Sequence, residues 1–151
     1  MDNENTNYKK TFTKEKVLIC LDLNKELREE IEGDKFSETL FQTAKNGIKM
    51  YVESKSRLSN VHEYALSIIS EKPVILKGFS TDTNELVSFL DQLEPTEKFK
   101  KFDIMSICDL IKESTPIPTL PDPEFFVHVI LIYGRPHVSL NLQNSFKVFL
   151  F

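Results

Sequence analysis

The sequence predicts an open, Rossmann-like α/β fold of three layers: a mostly parallel sheet with an antiparallel hairpin at one edge, covered by helices. Three observations lead there. The run Val17-Leu18-Ile19-Cys20-Leu21 is unbroken by polar residues and closes on Asp22, the pattern of a strand buried on both faces. A long stretch with apolar residues at three- and four-residue spacing follows it, as a crossover helix requires. Two further strand-like runs are then split only by Ser70-Glu71-Lys72, which is too short for a parallel crossover and makes them an antiparallel pair.

The elements can be taken in order. Residues 1–14 are polar and rich in Asn, Thr and Lys, so a disordered tail is expected, with one domain over 15–151. The first strand is expected over 16–23. The charged stretch 24–35, with Gly33 and Asp34 as turn residues, reads as a surface loop. A helix is expected over 36–56, with Phe36, Leu40, Ala44, Ile48 and Tyr51 as its buried face. Lys45, Lys49, Lys55 and Arg57 are expected on its solvated side. Residues 61–70 and 74–79 form the second and third strands, and Pro73 suits a sheet edge.

Asp82-Thr83-Asn84-Glu85 matches a capping box and opens a helix with Leu86, Phe89, Leu90 and Leu93 facing inward. Asp103 is expected to cap the next helix, with Phe102 and Ile107 placed as a hydrophobic staple and Ile104, Ile107, Leu110 and Ile111 buried. The proline-rich stretch 115–123 is an extended connection. Residues 125–133 form a fourth strand. His128 within it is expected to pack against a polar partner. The right-handed crossover rule and the hairpin set the spatial order as third, second, first, fourth. The apolar ending Phe146, Val148, Phe149, Leu150 and Phe151 has no cap, so the C-terminal strands of the fold are expected to be missing.

Composition narrows the function. At 151 residues the chain suits one domain. A net charge of -4 argues against direct nucleic-acid binding. No apolar run reaches the roughly 18 residues of a membrane span, and the N-terminus lacks a signal-peptide core, so an intracellular protein is expected. Cys20 and Cys108 are read as reduced thiols. Four glycines without G-x-G-x-x-G or P-loop spacing exclude the usual phosphate cradles. No G-x-S-x-G elbow or H-E-x-x-H is present, so no catalytic residue and no cofactor are expected.

Ligands of open α/β sheets lie beyond the carboxyl ends of the strands, where Asp22 stands. A first strand ending in Asp, followed by a helix and a hairpin edge, resembles the von Willebrand factor A fold. In that fold the strand commonly ends in D-x-S-x-S and helps hold a divalent cation. Here Asn24 and Glu26 replace the serines, making Asp22, Asn24 and Glu26 a degenerate set, and Arg135 after the fourth strand opposes a cation. No bound metal is expected. A cation-dependent ligand-binding domain is the alternative reading.

The blocks Glu15-Lys16-Val17-Leu18-Ile19-Cys20-Leu21-Asp22-Leu23, His62-Glu63-Tyr64-Ala65-Leu66, Leu76-Lys77-Gly78-Phe79-Ser80-Thr81-Asp82 and Val129-Ile130-Leu131-Ile132-Tyr133-Gly134-Arg135-Pro136 carry a more specific likeness. In that order they resemble the von Willebrand factor A-like scaffold subunit family of the BRISC and BRCA-A deubiquitinase complexes. The resemblance implies a non-catalytic adaptor, cytoplasmic and nuclear, acting in DNA-damage signalling and cell division. Its partners would be protein subunits, including one with ubiquitin-conjugating-enzyme-like domains, with no membrane and no direct nucleic acid. Asp22, Asn24, Glu26, Arg135 and Pro136, with the face of the fourth strand, are the expected partner contacts.

Overall fold

The computed structural model describes residues 14–28, 39–99, 102–115 and 125–135. The expected tail over 1–13 and the ending after Arg135 lie outside them. Along the chain run β1 (Lys14–Asp22), a 3-10 turn (Lys25–Arg28), α1 (Leu40–Leu58), β2 (Glu63–Ile69), β3 (Pro73–Ser80), α2 (Thr83–Gln92), α3 (Met105–Ser114) and β4 (Phe125–Ile132). Lys14, read as the last residue of the tail, opens β1.

The sheet order is β3-β2-β1-β4, as the handedness argument requires. β1 pairs in parallel with both neighbours, Leu18 facing Ala65 on β2 and Val129 on β4. β2 and β3 are antiparallel, with register shifts between Tyr64 and Ser67. Val17 to Leu21 are fully buried. Successive side chains of a strand point to opposite faces, so β1 feeds two cores. Val17, Ile19 and Leu21 pack with Phe41, Ile48 and Val52 of α1 and Leu86 and Leu90 of α2. Leu18 and Cys20 pack with Phe102, Ile104 and Ile107 around α3. Full burial of each such aliphatic chain contributes about 1.5–3 kcal/mol, which makes β1 the spine of the fold.

Local sequence sets the element ends. Thr39 caps α1 through Gln42 N–H, later than the expected start. The buried face of α1 is Phe41, Lys45, Ile48 and Val52. The expected stripe through Leu40 is therefore turned by one residue: Leu40 is exposed, and Ala44 and Tyr51 only flank the core. Hydropathy excludes a lysine from a core stripe, yet Lys45 is only 3% exposed. Its ammonium donates to the Asp91 and Leu93 carbonyls at 3.0 Å each, at the end of α2, which has no basic residue in its own last turn. A cation there complements the helix dipole and its unpaired carbonyls.

Asp82 caps α2 as expected, accepting from the N–H groups of Asn84 and Glu85. The Asp82 N–H donates to Ser80 Oγ at 3.0 Å rather than to Glu85, whose carboxylate pairs with Lys77 on β3. Asp103 accepts from Met105 N–H at 2.9 Å at the start of α3. Phe102 and Ile107 both enter the second core.

Candidate functional site: a buried Asp22–Arg135 pair

The carboxyl ends of β1 and β4 lie side by side, which brings together two residues 113 positions apart. Arg135 Nε donates to Asp22 Oδ2 at 2.9 Å and Oδ1 at 3.1 Å, and Nη2 donates to Oδ1 at 2.8 Å. Both side chains are 0% exposed. Backbone N–H groups complete the carboxylate shell: Asn24 donates to Oδ1 at 3.1 Å and Gly134 to Oδ2 at 3.2 Å. The guanidinium is held from the β2 side as well, Nη2 donating to the Ile69 carbonyl at 3.3 Å and the Ser70 carbonyl at 2.6 Å.

Aromatic rings surround the same cation. The Phe99, Phe102 and Tyr133 centroids lie 5.1, 5.6 and 5.7 Å from Arg135 Cζ. Phe99 and Phe102 come from the segment between α2 and α3. That segment is tied across the strand ends by Thr96 N–H to the Leu23 carbonyl at 3.1 Å and Lys25 N–H to the Glu97 carbonyl at 2.9 Å.

These contacts revise the expected surface loop after Asp22. Asn24 and Leu27 are buried, and Leu27 packs with the first core. The loop bends inward because Leu23 and Leu27 have apolar surface to bury and a bridge to Glu97 pins Asn24. Of the residues expected to meet partners, Asp22, Asn24 and Arg135 have enclosed side chains. The Glu26 side chain and Pro136 lie outside what the structure describes. Sequence reasoning missed Phe99, Phe102 and the Ile69 and Ser70 carbonyls. The available signal was a lone arginine directly after an apolar strand, on the same rim as a carboxylate.

The donor set does not fit a divalent ion. A carboxylate offers about four lone-pair sites, and four N–H groups aim at Asp22. Magnesium prefers octahedral oxygen and keeps several waters, whereas three rings line this pocket. Among the described residues no cluster of three His, Cys, Asp or Glu could hold a metal.

A second polar group lies toward the opposite end of β1. Glu15 Oε2 is 2.6 Å from Lys55 Nζ and 3.3 Å from His128 Nδ1, and Glu15 N–H donates to His62 Nδ1 at 3.1 Å. Burial alone would raise the Glu15 pKa. The Lys55 bond and charge, helped by His128 and His62, override it and hold the carboxyl below its ordinary value. His128 thus has the polar partner expected of it.

Comparison with known proteins gives the lineage. No protein-family model matches the chain. It is 34% identical to BRISC and BRCA1-A complex member 1 of Xenopus tropicalis, covering 88% of this chain and 44% of that protein. It is 33% identical to the Homo sapiens protein of the same name, covering 81% and 39%.

The chain is a homologue of these two proteins over most of its own length.

It spans less than half the length of those two BRISC and BRCA1-A complex member 1 proteins. Solved structures establish the fold. The vWF domain of the pili tip protein Mfa5 from Porphyromonas gingivalis aligns with a TM-score of 0.50 at 14% identity, covering 78% of this chain and 36% of that one. BatB from Bacteroides thetaiotaomicron aligns with a TM-score of 0.54 at 17% identity, covering 75% and 52%. This BRISC and BRCA1-A complex member 1 relative therefore builds its sheet in the von Willebrand factor A manner.

Proposed function

We propose that the chain is a non-catalytic scaffold subunit of a ubiquitin-chain-removing complex acting in DNA-damage signalling and cell division, in the cytoplasm and nucleus. The observation that carries this reading is the homology to complex members over most of the chain. The buried pair agrees with it. The carboxylate at the strand ends is spent on an internal arginine, leaving shape rather than reactivity as the product of the rim. The partners of this reading are protein subunits, one bearing ubiquitin-conjugating-enzyme-like domains, with no membrane and no direct nucleic acid. Among the described residues no helix is long and apolar enough to cross a membrane.

The surfaces this reading assigns to contact are two. One is the rim whose backbone Asp22, Asn24 and Arg135 hold in place. The other is the outer part of β4, where Phe126 is 50% and Val129 41% exposed. Co-expression with the metalloprotease subunit and with the ubiquitin-conjugating-enzyme-like subunit, followed by size-exclusion chromatography, tests the reading. Co-elution is expected, with no ubiquitin-chain cleavage by the chain alone. Separate elution from both subunits, or cleavage by the isolated chain that a single substitution abolishes, would refute it.

A further inference from the structure

We propose that the pocket at the end of β1 is a guanidinium-binding cup, filled in cis by Arg135, and that a divalent ion has no place in it. The inference is independent of the scaffold reading, because it concerns only which small cation the cup accepts.

The first support is the shape of the acceptor set. The Asp22 oxygens accept from Nε and Nη2 as a fork, and the Ile69 and Ser70 carbonyls accept from Nη2 beside it. A fork of fixed N–H directions suits that arrangement, whereas a spherical ion needs ligands on all sides. The second support is the wall. Rings at 5.1 to 5.7 Å from Cζ attract a planar, weakly hydrated cation and leave little for a hydration shell.

The third support is charge. Asp22 and Arg135 cancel inside a site with no solvent exposure. A divalent ion added to that pair would leave two uncompensated positive charges in the interior, where isolated charge is costly.

The fourth support is where the cup comes from. Asp22 belongs to β1, the carbonyls to the end of β2, and Phe99 and Phe102 to the segment before α3. Among the described residues of the cup, Tyr133 and the Gly134 N–H share a segment with Arg135. The cup is therefore largely built by chain elements other than the one that fills it. Removing the Arg135 side chain leaves a preorganised hole with an unpaired carboxylate, which a soluble alkylguanidinium can enter.

The test uses the whole chain carrying Arg135→Ala, with methylguanidinium as the probe at low millimolar concentration. Sodium, ethylammonium and magnesium chlorides at equal ionic strength are the controls. The variant is expected to melt several degrees below the parent. Methylguanidinium should restore much of that loss saturably, as a ligand of the folded state does. Ethylammonium should restore less, magnesium none, and Asp22→Asn/Arg135→Ala should not respond to methylguanidinium.

A folded Arg135→Ala chain indifferent to methylguanidinium, or one stabilised saturably by magnesium, would overturn the proposal. If Arg135→Ala does not fold, the parent protein decides. Its Arg135 Nε–H resonance, assigned against Arg28 and Arg57, the other two arginines, should exchange slowly and be untouched by added manganese. Selective paramagnetic loss of that resonance would overturn it equally.

Discussion

Gly134 lies directly against the Leu27 side chain: a β-carbon placed on it would sit 2.5 Å from Leu27 Cγ, far inside van der Waals contact. Leu27 is buried and cannot swing freely into solvent. Gly134→Ala is therefore expected to destabilise the fold by about 1–3 kcal/mol, the usual cost of overpacking. In a Leu27→Ala background, which carries its own core cost, Gly134→Ala should be less destabilising. A double-mutant cycle by urea denaturation reads the coupling, which should be clearly nonzero for two residues in contact. Because Gly134 N–H also donates to Asp22, the single variant should loosen the arginine cup as well.

Lys45 links α1 to the end of α2 through the Asp91 and Leu93 carbonyls. Lys45→Met keeps most of the apolar stem and removes the donors. A loss of about 1.5–3 kcal/mol is expected, the range for hydrogen bonds to a charged group, seen as a lower urea midpoint. Lys49→Met, which removes a more exposed pairing with Asp91, should cost well under half as much.

Glu15 supplies an acid limb to stability. Its carboxyl titrates below the reference value of 4.5 in the folded protein, so the unfolded chain binds the proton first as pH falls. The stabilisation is complete above about pH 4.5 and is lost as pH drops through the depressed folded value. Glu63, partly buried and held by Lys14 and Lys16, behaves in the same direction. Melting temperature should fall on acidification below that point, and Glu15→Gln should flatten part of the fall. An unchanged acid limb in Glu15→Gln would show that other carboxylates carry it.

Tyr64 presents the opposite case. Its hydroxyl is buried with no hydrogen-bond partner among the described residues, and burial, then Tyr51 and Glu15, push its pKa up to about 12. Removing an unsatisfied polar atom of this kind is near neutral or favourable. Tyr64→Phe should melt at or slightly above the parent temperature, as a thermal scan would record.

The spine of the fold was readable because Val17 to Leu21 contain no polar residue and the short turn after β2 forbids a parallel crossover. Those two facts and chain handedness suffice for the order of all four strands. Lys45 and Asn24 were misjudged for a common reason: residue type says polar, while burial is decided by partners far along the chain. For Lys45 those partners are carbonyls 46 and 48 positions away. Arg135 was correctly set near Asp22 by adjacent strand ends, but its charge was read as repelling a cation rather than being one. Phe99 reaches it from an irregular segment with no periodicity to project, and Phe102 is legible in the sequence only as the staple of α3.

Cys20 turns the spine into a stopwatch. Burial drives its thiol up to about 12 against the opposing effect of Ser67, so almost no thiolate exists while the strand is covered. Iodoacetamide should label Cys20 only in molecules whose central sheet has come apart, at a rate that climbs with urea in step with global unfolding. Cys108, half-buried on α3, should be labelled sooner. Mass spectrometry of the two peptides would then time the breathing of the interior against that of its cover, with no probe added to the chain.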